Sequence, residues 1–321
     1  MTTIRDIARI SGYSLATVSR VLNKHGYVSD TTKSKIERVI QQTNYVPNAV
    51  AQDLSVGNTH DIGVVLPHAN HPYFTQLIRG IMNAAFASDY RITLLPSEYN
   101  EMLETKYLEQ LHRKRFDRLI FTSHGISLQR LASYLTYGKI VLCEDPRNSH
   151  IPAVFSDRES GYHDAFSWLL AKGVKHIIFL FSRSPRESAT SFATLKSFNQ
   201  VYHYMPSAEW IVNNIVTFSD GYAAAKQLYT SNLDIDYIFT NGDDVAAGVW
   251  QYYMDHKRLL PKLIGQENQL SGFLLNIPTI DHHFIEIGEK ALKLVISDPE
   301  ENTTIKVHSE FIVGDKRTYQ G

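Results

Sequence analysis

The sequence predicts two unlike parts: an all-α helix-turn-helix headpiece over residues 1–47 with a hinge helix in 48–58, then an α/β body over 59–321. Three observations predict this. Residues 3–44 carry apolar side chains at helical spacing in three short runs, each opened by a capping residue. From Asp61 the pattern changes to short continuous apolar runs alternating with amphipathic helices, as in parallel strands covered on both faces. The number of such runs suits two open parallel sheets better than one, because a twisted open sheet rarely exceeds about ten strands.

In the headpiece, Thr3 reads as an N-cap with Asp6 completing a capping box, and Ile4, Ile7 and Ala8 follow at helical spacing until Ser11-Gly12. The second helix opens at Ser14 and carries Val18, Val21 and Leu22 on one face as far as Asn23. The third starts near Ser29-Asp30 and presents Ile36, Val39 and Ile40. Three such faces meeting over a glycine-containing turn make a helix-turn-helix plan. Pro47 blocks continuation of the third helix. Residues 48–54 have room for about two further turns, too few to stand alone, so this hinge helix is expected to form with a partner or on DNA. Gly57-Asn58 marks the domain boundary.

In the body the expected strands are Ile62–Leu66, Ile92–Leu95, Leu119–Phe121, Ile140–Leu142, Ala153–Phe155, Ile177–Phe181, Ile215–Phe218, Tyr237–Phe239, Lys262–Ile264 and Thr279–Ile280, with Glu310–Val313 strand-like near the end. Helices are expected at Phe74–Ser88, Glu101–His112, Gly161–Ala171, Ser219–Tyr229, Ala246–Asp255 and Phe284–Ser297. Ligands in such folds sit at the carboxyl ends of the strands.

Composition narrows the function classes. The longest apolar runs, such as Ile177–Phe181, fall far short of the roughly 20 residues of a membrane span. The polar start, Met1 to Asp6, offers no secretory signal, and the single cysteine excludes an internal disulfide framework, so a cytoplasmic location is expected. Cys143 ends an apolar run and reads as a small buried hydrophobe. Net charge is −1, yet residues 1–58 hold seven Lys/Arg against four Asp/Glu, leaving that segment positive by three and the remainder negative by four. Such a chain can dock one end on a polyanion. No phosphate loop, nucleophile elbow or metalloprotease motif occurs, so no enzymatic activity and no cofactor are expected. Asp281-His282-His283 lacks an identifiable third ligand and is read as structural rather than metal-binding.

The second helix is the one placed to read sequence, because a recognition helix presents its N-terminal residues to base edges in the major groove. Val18, Val21 and Leu22 belong to the core, which leaves Leu15, Ala16, Thr17, Ser19, Arg20 and Asn23 for DNA. Leu15 suits a thymine methyl, Arg20 a guanine O6/N7 pair, and Thr17, Ser19 and Asn23 the phosphates.

Thr3-Ile-Arg-Asp-Ile-Ala, Ser14-Leu-Ala-Thr-Val-Ser-Arg-Val-Leu-Asn, Gly26-Tyr-Val-Ser, Asn44-Tyr-Val-Pro-Asn-Ala-Val-Ala and Ile62-Gly-Val-Val-Leu-Pro together resemble the lactose/galactose-repressor family over the whole chain. The resemblance implies a homodimer on a pseudo-palindromic operator, in the role of a repressor, with affinity set by a small carbohydrate-derived effector. 

Its hinge helices pair in the minor groove, where a leucine from each wedges a base step open; Leu54 matches that leucine and Asn48 lies in the same DNA-contacting segment. The family's Ala-Arg-Ser-Leu is here Ala51-Gln52-Asp53-Leu54, placing a carboxylate near phosphate, where it either caps the neighbouring hinge helix or weakens binding.

For the body the resemblance implies a fold like that of periplasmic binding proteins, two lobes around a cleft. The N-lobe is expected at about 59–157 plus 284–305 and the C-lobe at about 158–283 plus 306–321. His71-Pro72-Tyr73-Phe74 matches a segment whose aromatics line the effector cleft, although Tyr73 and Phe74 fit a core at a helix start equally well. Asp157 with Gly161, the Asn241–Gly248 segment containing Asp243, and Glu267-Asn268 match further cleft motifs, and Asp145 lies at a neighbouring strand end. The family's Ser-x-x-x-Arg aligns with Thr190 to Thr194, so its arginine is missing, and Arg183 or Arg186 is left to supply a guanidinium. These departures leave a sugar derivative, a phosphorylated metabolite or control by a partner protein open, and a binding protein without a regulatory role is the remaining alternative. The absence of a leucine-heptad tail favours a dimer over a tetramer.

Overall fold

The computed structural model describes residues 2–23, 26–46, 59–68, 72–231, 233–297 and 303–314. Among the described residues the headpiece has three helices, α1 (Ile4–Ser11), α2 (Leu15–Leu22) and α3 (Asp30–Gln42). Each starts where a hydroxyl can cap it. Thr3 and Asp6 form the expected capping box, the Ser14 hydroxyl accepts from the Thr17 N–H, and that of Ser29 accepts from Thr32. α1 ends at Gly12, whose φ of 75° suits a residue without a Cβ. Ile7, Val18 and Ile36, one from each helix, are fully buried against one another.

The described residues of the body form two six-stranded sheets. The first has the order β11-β5-β4-β3-β1-β2, from β1 (Asp61–Leu66), β2 (Arg91–Pro96), β3 (Arg118–Phe121), β4 (Lys139–Leu142), β5 (Ala153–Asp157) and β11 (Thr304–His308). The second has the order β12-β10-β9-β8-β6-β7, from β6 (Ile177–Leu180), β7 (Ile211–Val212), β8 (Tyr237–Thr240), β9 (Lys262–Gln266), β10 (Thr279–Asp281) and β12 (Glu310–Ile312). All pairings are parallel except β10 with β12.

Helices cover both faces of each sheet. On the first sheet, α4 (Pro72–Ala85) and α12 (Phe284–Ile296) bury Leu77, Ile81, Ile287 and Leu292 against Val64 and Ile120. On its other face α5 (Glu101–His112) and α6 (Leu128–Ala132) pack over Val65, Leu119 and Phe121. On the second sheet, alternate residues separate the two cores: Ile177 and Phe179 meet α7 (Arg158–Ala171) and α8 (Ala189–Tyr202), while Ile178 and Leu180 meet α9 (Phe218–Thr230) and α10 (Asp243–Asp255). The short α11 (Leu270–Leu274) lies against α10. α4 and α12 cross so closely that a Cβ on Gly80 would stand 1.9 Å from the Ile285 carbonyl oxygen.

Some expectations need correction. Ile215–Phe218 is not a strand, because Thr217 and Asp220 form a capping box that starts α9 at Phe218, and the edge strand is Ile211–Val212 instead. α8 and β11 went unread. The chain passes between the sheets after Asp157, between Asp281 and Phe284, and at Ser309. The last passage falls beyond the expected 305/306 because Thr304–His308 pairs in register with β5.

Candidate nucleic-acid interface and inter-lobe cleft

On the headpiece, α2 turns its N-terminal residues outward. Leu15 is 45% exposed, and Ala16 and Arg20 are exposed as well. Thr17, Ser19 and Asn23 are half-buried. The Thr17 and Ser14 hydroxyls lie 2.9 Å apart, and Asn23 Nδ2 donates to Ser19 Oγ at 3.3 Å. Arg20 lays its aliphatic stem near Gly26, within about 4 Å of where a Cβ would be. An exposed leucine and alanine on the first turn and an arginine on the next, backed by a packed core, offer apolar and guanidinium contacts to base edges. Tyr27, 92% exposed just after that glycine, is a further candidate contact that helix periodicity does not single out. Its signal in the sequence is the Gly26-Tyr-Val-Ser segment, one of those that carry the family resemblance. Asn48 and Leu54, with Gln52 and Asp53, lie outside the described residues.

The second site is the cleft at the carboxyl ends of the strands. Its N-lobe wall is positioned by Glu104, a fully buried carboxylate that accepts from Ser97 Oγ, Gly125 N and Ile126 N at 2.9–3.0 Å. Those bonds fix the loops after β2 and β3, which carry Tyr99, Ser123 and His124. Ser123 Oγ donates to Glu144 Oε1 at 2.8 Å, and His124 Nε2 stands 3.6 Å from Glu144 Oε2. His124 Nδ1 faces the Ile126 carbonyl at 2.7 Å, which requires it to donate there. A favourable contact on the other side therefore needs a proton between Nε2 and the carboxylate. Burial pushes the Glu144 carboxyl above its ordinary range, against the pull of His124, Ser123, Arg158 and Arg183.

Across the cleft, Arg158 is the first residue of α7 and is half-buried. Its guanidinium lies 5.8 Å from the Tyr73 ring centroid and 5.2 Å from that of Phe284. Arg183 lies 5.6 Å over the ring of Tyr99. Gln76 Nε2 donates to the Glu267 carbonyl at 2.9 Å, joining α4 to the loop after β9. Glu267 is 7% exposed and accepts from Gln269 Nε2 at 2.5 Å; burial, with Asp243 and Asp244 adding to it and Arg158 opposing, pushes its carboxyl up to about 8. Nearby, Asn241 Oδ1 is buried without a hydrogen-bond partner.

Behind the cleft, one polar network ties the three passages between sheets. Gln266 Nε2 donates to the Thr240 carbonyl, so its Oε1 receives both the Tyr162 hydroxyl at 3.2 Å and His282 Nε2 at 3.0 Å. His282 Nδ1 then accepts from Ser309 Oγ at 2.9 Å, which in turn takes the Ser156 hydroxyl at 2.6 Å. A neutral imidazole satisfies every bond, in keeping with burial, Arg158 and His283 holding His282 well below the ordinary histidine range. These bonds occupy both ring nitrogens of His282 and give it a structural role at the passage between sheets.

The cleft residues expected from sequence divide. Tyr73 packs in the core yet reaches the cleft, with its hydroxyl donating to the Thr122 carbonyl at 3.2 Å, whereas Phe74 is buried at 4% exposure. Asp157 is half-buried at the start of α7, and Asp145 is exposed in a turn that it closes on the Arg147 N–H. Arg183 rather than Arg186 meets the opposite wall; Arg186 is exposed, as is Thr190. Two expectations are corrected. Asp243 is fully buried and spends its oxygens on Gln269 N and Thr279 Oγ1, holding the β9–β10 region, and Thr194 is 2% exposed and bonds back to the Thr190 carbonyl within α8. Arg158 was missed because the helix was expected to begin three residues later.

An all-α headpiece with an outward recognition helix, joined in sequence to a two-sheet cleft domain, defines a DNA-binding regulator with a ligand-binding body. Residues 3–48 match the profile of bacterial regulatory proteins of the lacI family, and residues 59–312 match that of periplasmic binding proteins and the sugar-binding domain of the LacI family. The chain belongs to the LacI family and is a transcription regulator, not an enzyme. It is 33% identical over 311 residues to catabolite control protein B of Bacillus subtilis, covering 97% of this chain and 99% of that relative. It is 27% identical to the ribose operon repressor of Escherichia coli strain K12, covering 92% of each. Its fold is similar to that of a lac repressor dimer bound to operator and an anti-inducer, with a TM-score of 0.79, 18% identity and coverage of 100% and 99%. No helix among the described residues is long and apolar enough to cross a membrane.

Proposed function

We propose that this chain is a cytoplasmic repressor that binds a pseudo-palindromic operator as a homodimer and changes its operator affinity when a sugar or sugar derivative occupies the inter-lobe cleft. The observation that carries the reading is the outward face of α2, where Leu15, Ala16 and Arg20 are exposed above a fully buried three-helix core. The positive balance of residues 1–58 supports docking on a polyanion. Asn48 and Leu54 supply the hinge contacts in this reading. Exposed Met82, Phe86, Leu94 and Met102, on or beside α4, β2 and α5 at one edge of the first sheet, support self-association. In the cleft, Tyr73, Asp157, Arg183 and Glu267 are the residues we assign to the effector.

The test is selection of duplexes from a random pool by the full chain, followed by gel shift at fixed salt. The expected product is a pseudo-palindrome bound with one dimer per duplex, and at least about a thousandfold more tightly than a shuffled sequence. Equal affinity for both duplexes would falsify the reading.

A further inference from the structure

We infer that the cleft ligand carries an anionic group, carboxylate or phosphate, beside its hydroxyls, and that Arg158 receives that group. This rests on the cleft being the effector site. Arg158 sits at the carboxyl end of β5, between the lobes, with its guanidinium beside the rings of Tyr73 and Phe284. Among the described residues no carboxylate oxygen lies within 4.0 Å of it, although its charge is felt by acids on both walls. The two acids are engaged elsewhere: Glu144 takes Ser123 and faces His124, and Glu267 takes Gln269.

A guanidinium offers five donors. Withdrawing such a cation from bulk water is costly unless an anion completes it. A planar carboxylate or a phosphate does so through two parallel bonds, whereas a sugar hydroxyl supplies a single neutral acceptor. Arg183, exposed over Tyr99, adds a second positive charge on the C-lobe wall. The acid on the same wall does not cancel these charges, since the Glu267 carboxyl, with its proton retained up to about pH 8, is largely neutral at pH 7.

The experiment is calorimetric titration of the full chain with matched ligands at constant ionic strength: ribose against ribose 5-phosphate, and glucose against glucose 6-phosphate and gluconate, with inorganic phosphate as the anion alone. An anionic member is expected to bind about tenfold to a hundredfold more tightly than its neutral parent, the worth of one charge-assisted bond. The phosphate and carboxylate arms identify which anion is taken. Arg158→Gln is expected to erase the preference and Arg158→Lys to keep part of it. If Arg158→Gln does not fold, Arg158→Lys alone carries the test through a reduced preference. Equal or tighter binding of the neutral parents, or a preference undiminished in the variants, overturns the inference and leaves the effector reading standing. Binding by no member of the panel overturns both.

Discussion

Replacing Glu267 by Gln tests whether the cleft holds a neutral carboxylic acid. The side chain is 7% exposed, and burial raises its carboxyl from 4.5 to about 8. Between those values the unfolded chain has shed the proton while the folded chain keeps it. The folded state then binds more protons, so stability falls as pH rises. Each pH unit inside the window costs about 1.4 kcal/mol, which makes the loss between pH 5 and pH 7.5 about 3 kcal/mol. Glutamine has the same shape, still accepts from Gln269 Nε2, and carries no titrating proton. The difference in stability between Glu267→Gln and the parent should therefore grow by about 3 kcal/mol in favour of the variant over that range. For a domain of this size this corresponds to roughly 6–12 °C in the unfolding midpoint of the body. Differential scanning calorimetry of both proteins at half-unit steps reads it directly. Parallel midpoint-against-pH curves would show that Glu267 ionises freely and refute the assignment.

Other consequences follow from the headpiece, the hinge and the passage between sheets. Arg20→Ala should cost about 1–3 kcal/mol of operator affinity and relax base preference at one position per half-site, measured by gel shift against single-base operator variants. Asp53→Ser should raise operator affinity at fixed salt by removing a carboxylate beside phosphate; unchanged or weaker binding would mean that Asp53 instead orients the hinge. Ser309→Ala removes the hydroxyl that His282 Nδ1 accepts from and should destabilise the body by about 1–3 kcal/mol, read from chemical denaturation, with α2 contacts to DNA untouched.

The parts of this fold that could be read from sequence are those specified by neighbours in the chain. Thr3 with Asp6, and Ser14 with Thr17, cap helices over three residues, and Asn100 starts α5 at Glu101 as expected. Continuous apolar runs located the buried strands for the same reason. α8 escaped because its Ser- and Thr-rich surface-to-core pattern, Ser191, Thr194 and Ser197 all buried, has the polarity of a loop and gains its helix from tertiary packing on Phe166 and Phe179. β11 escaped because Thr304–His308 is an edge strand with only Val307 buried.

The candidate site was legible unevenly for a related reason. A DNA-reading face needs only one helix, so exposure of Leu15 and Arg20 follows once Val18 is known to be core. The cleft is assembled by residues far apart in sequence, and residue type alone does not say which polar groups are already spent. Asp243 and Glu267 both read as acids available to hydroxyls, yet Asp243 is consumed by Gln269 N and Thr279 Oγ1, a demand visible only when β9 and β10 lie side by side. Arg158 presents the opposite case. It lies ahead of the helix expected at Gly161–Ala171 and carries no motif of its own, but Tyr73 and Phe284 arrive from α4 and α12 to flank it. Its chemistry therefore belongs to the meeting of the lobes, and the ligand preference we assign to it has to be sought in the paired titrations, because no local motif encodes it.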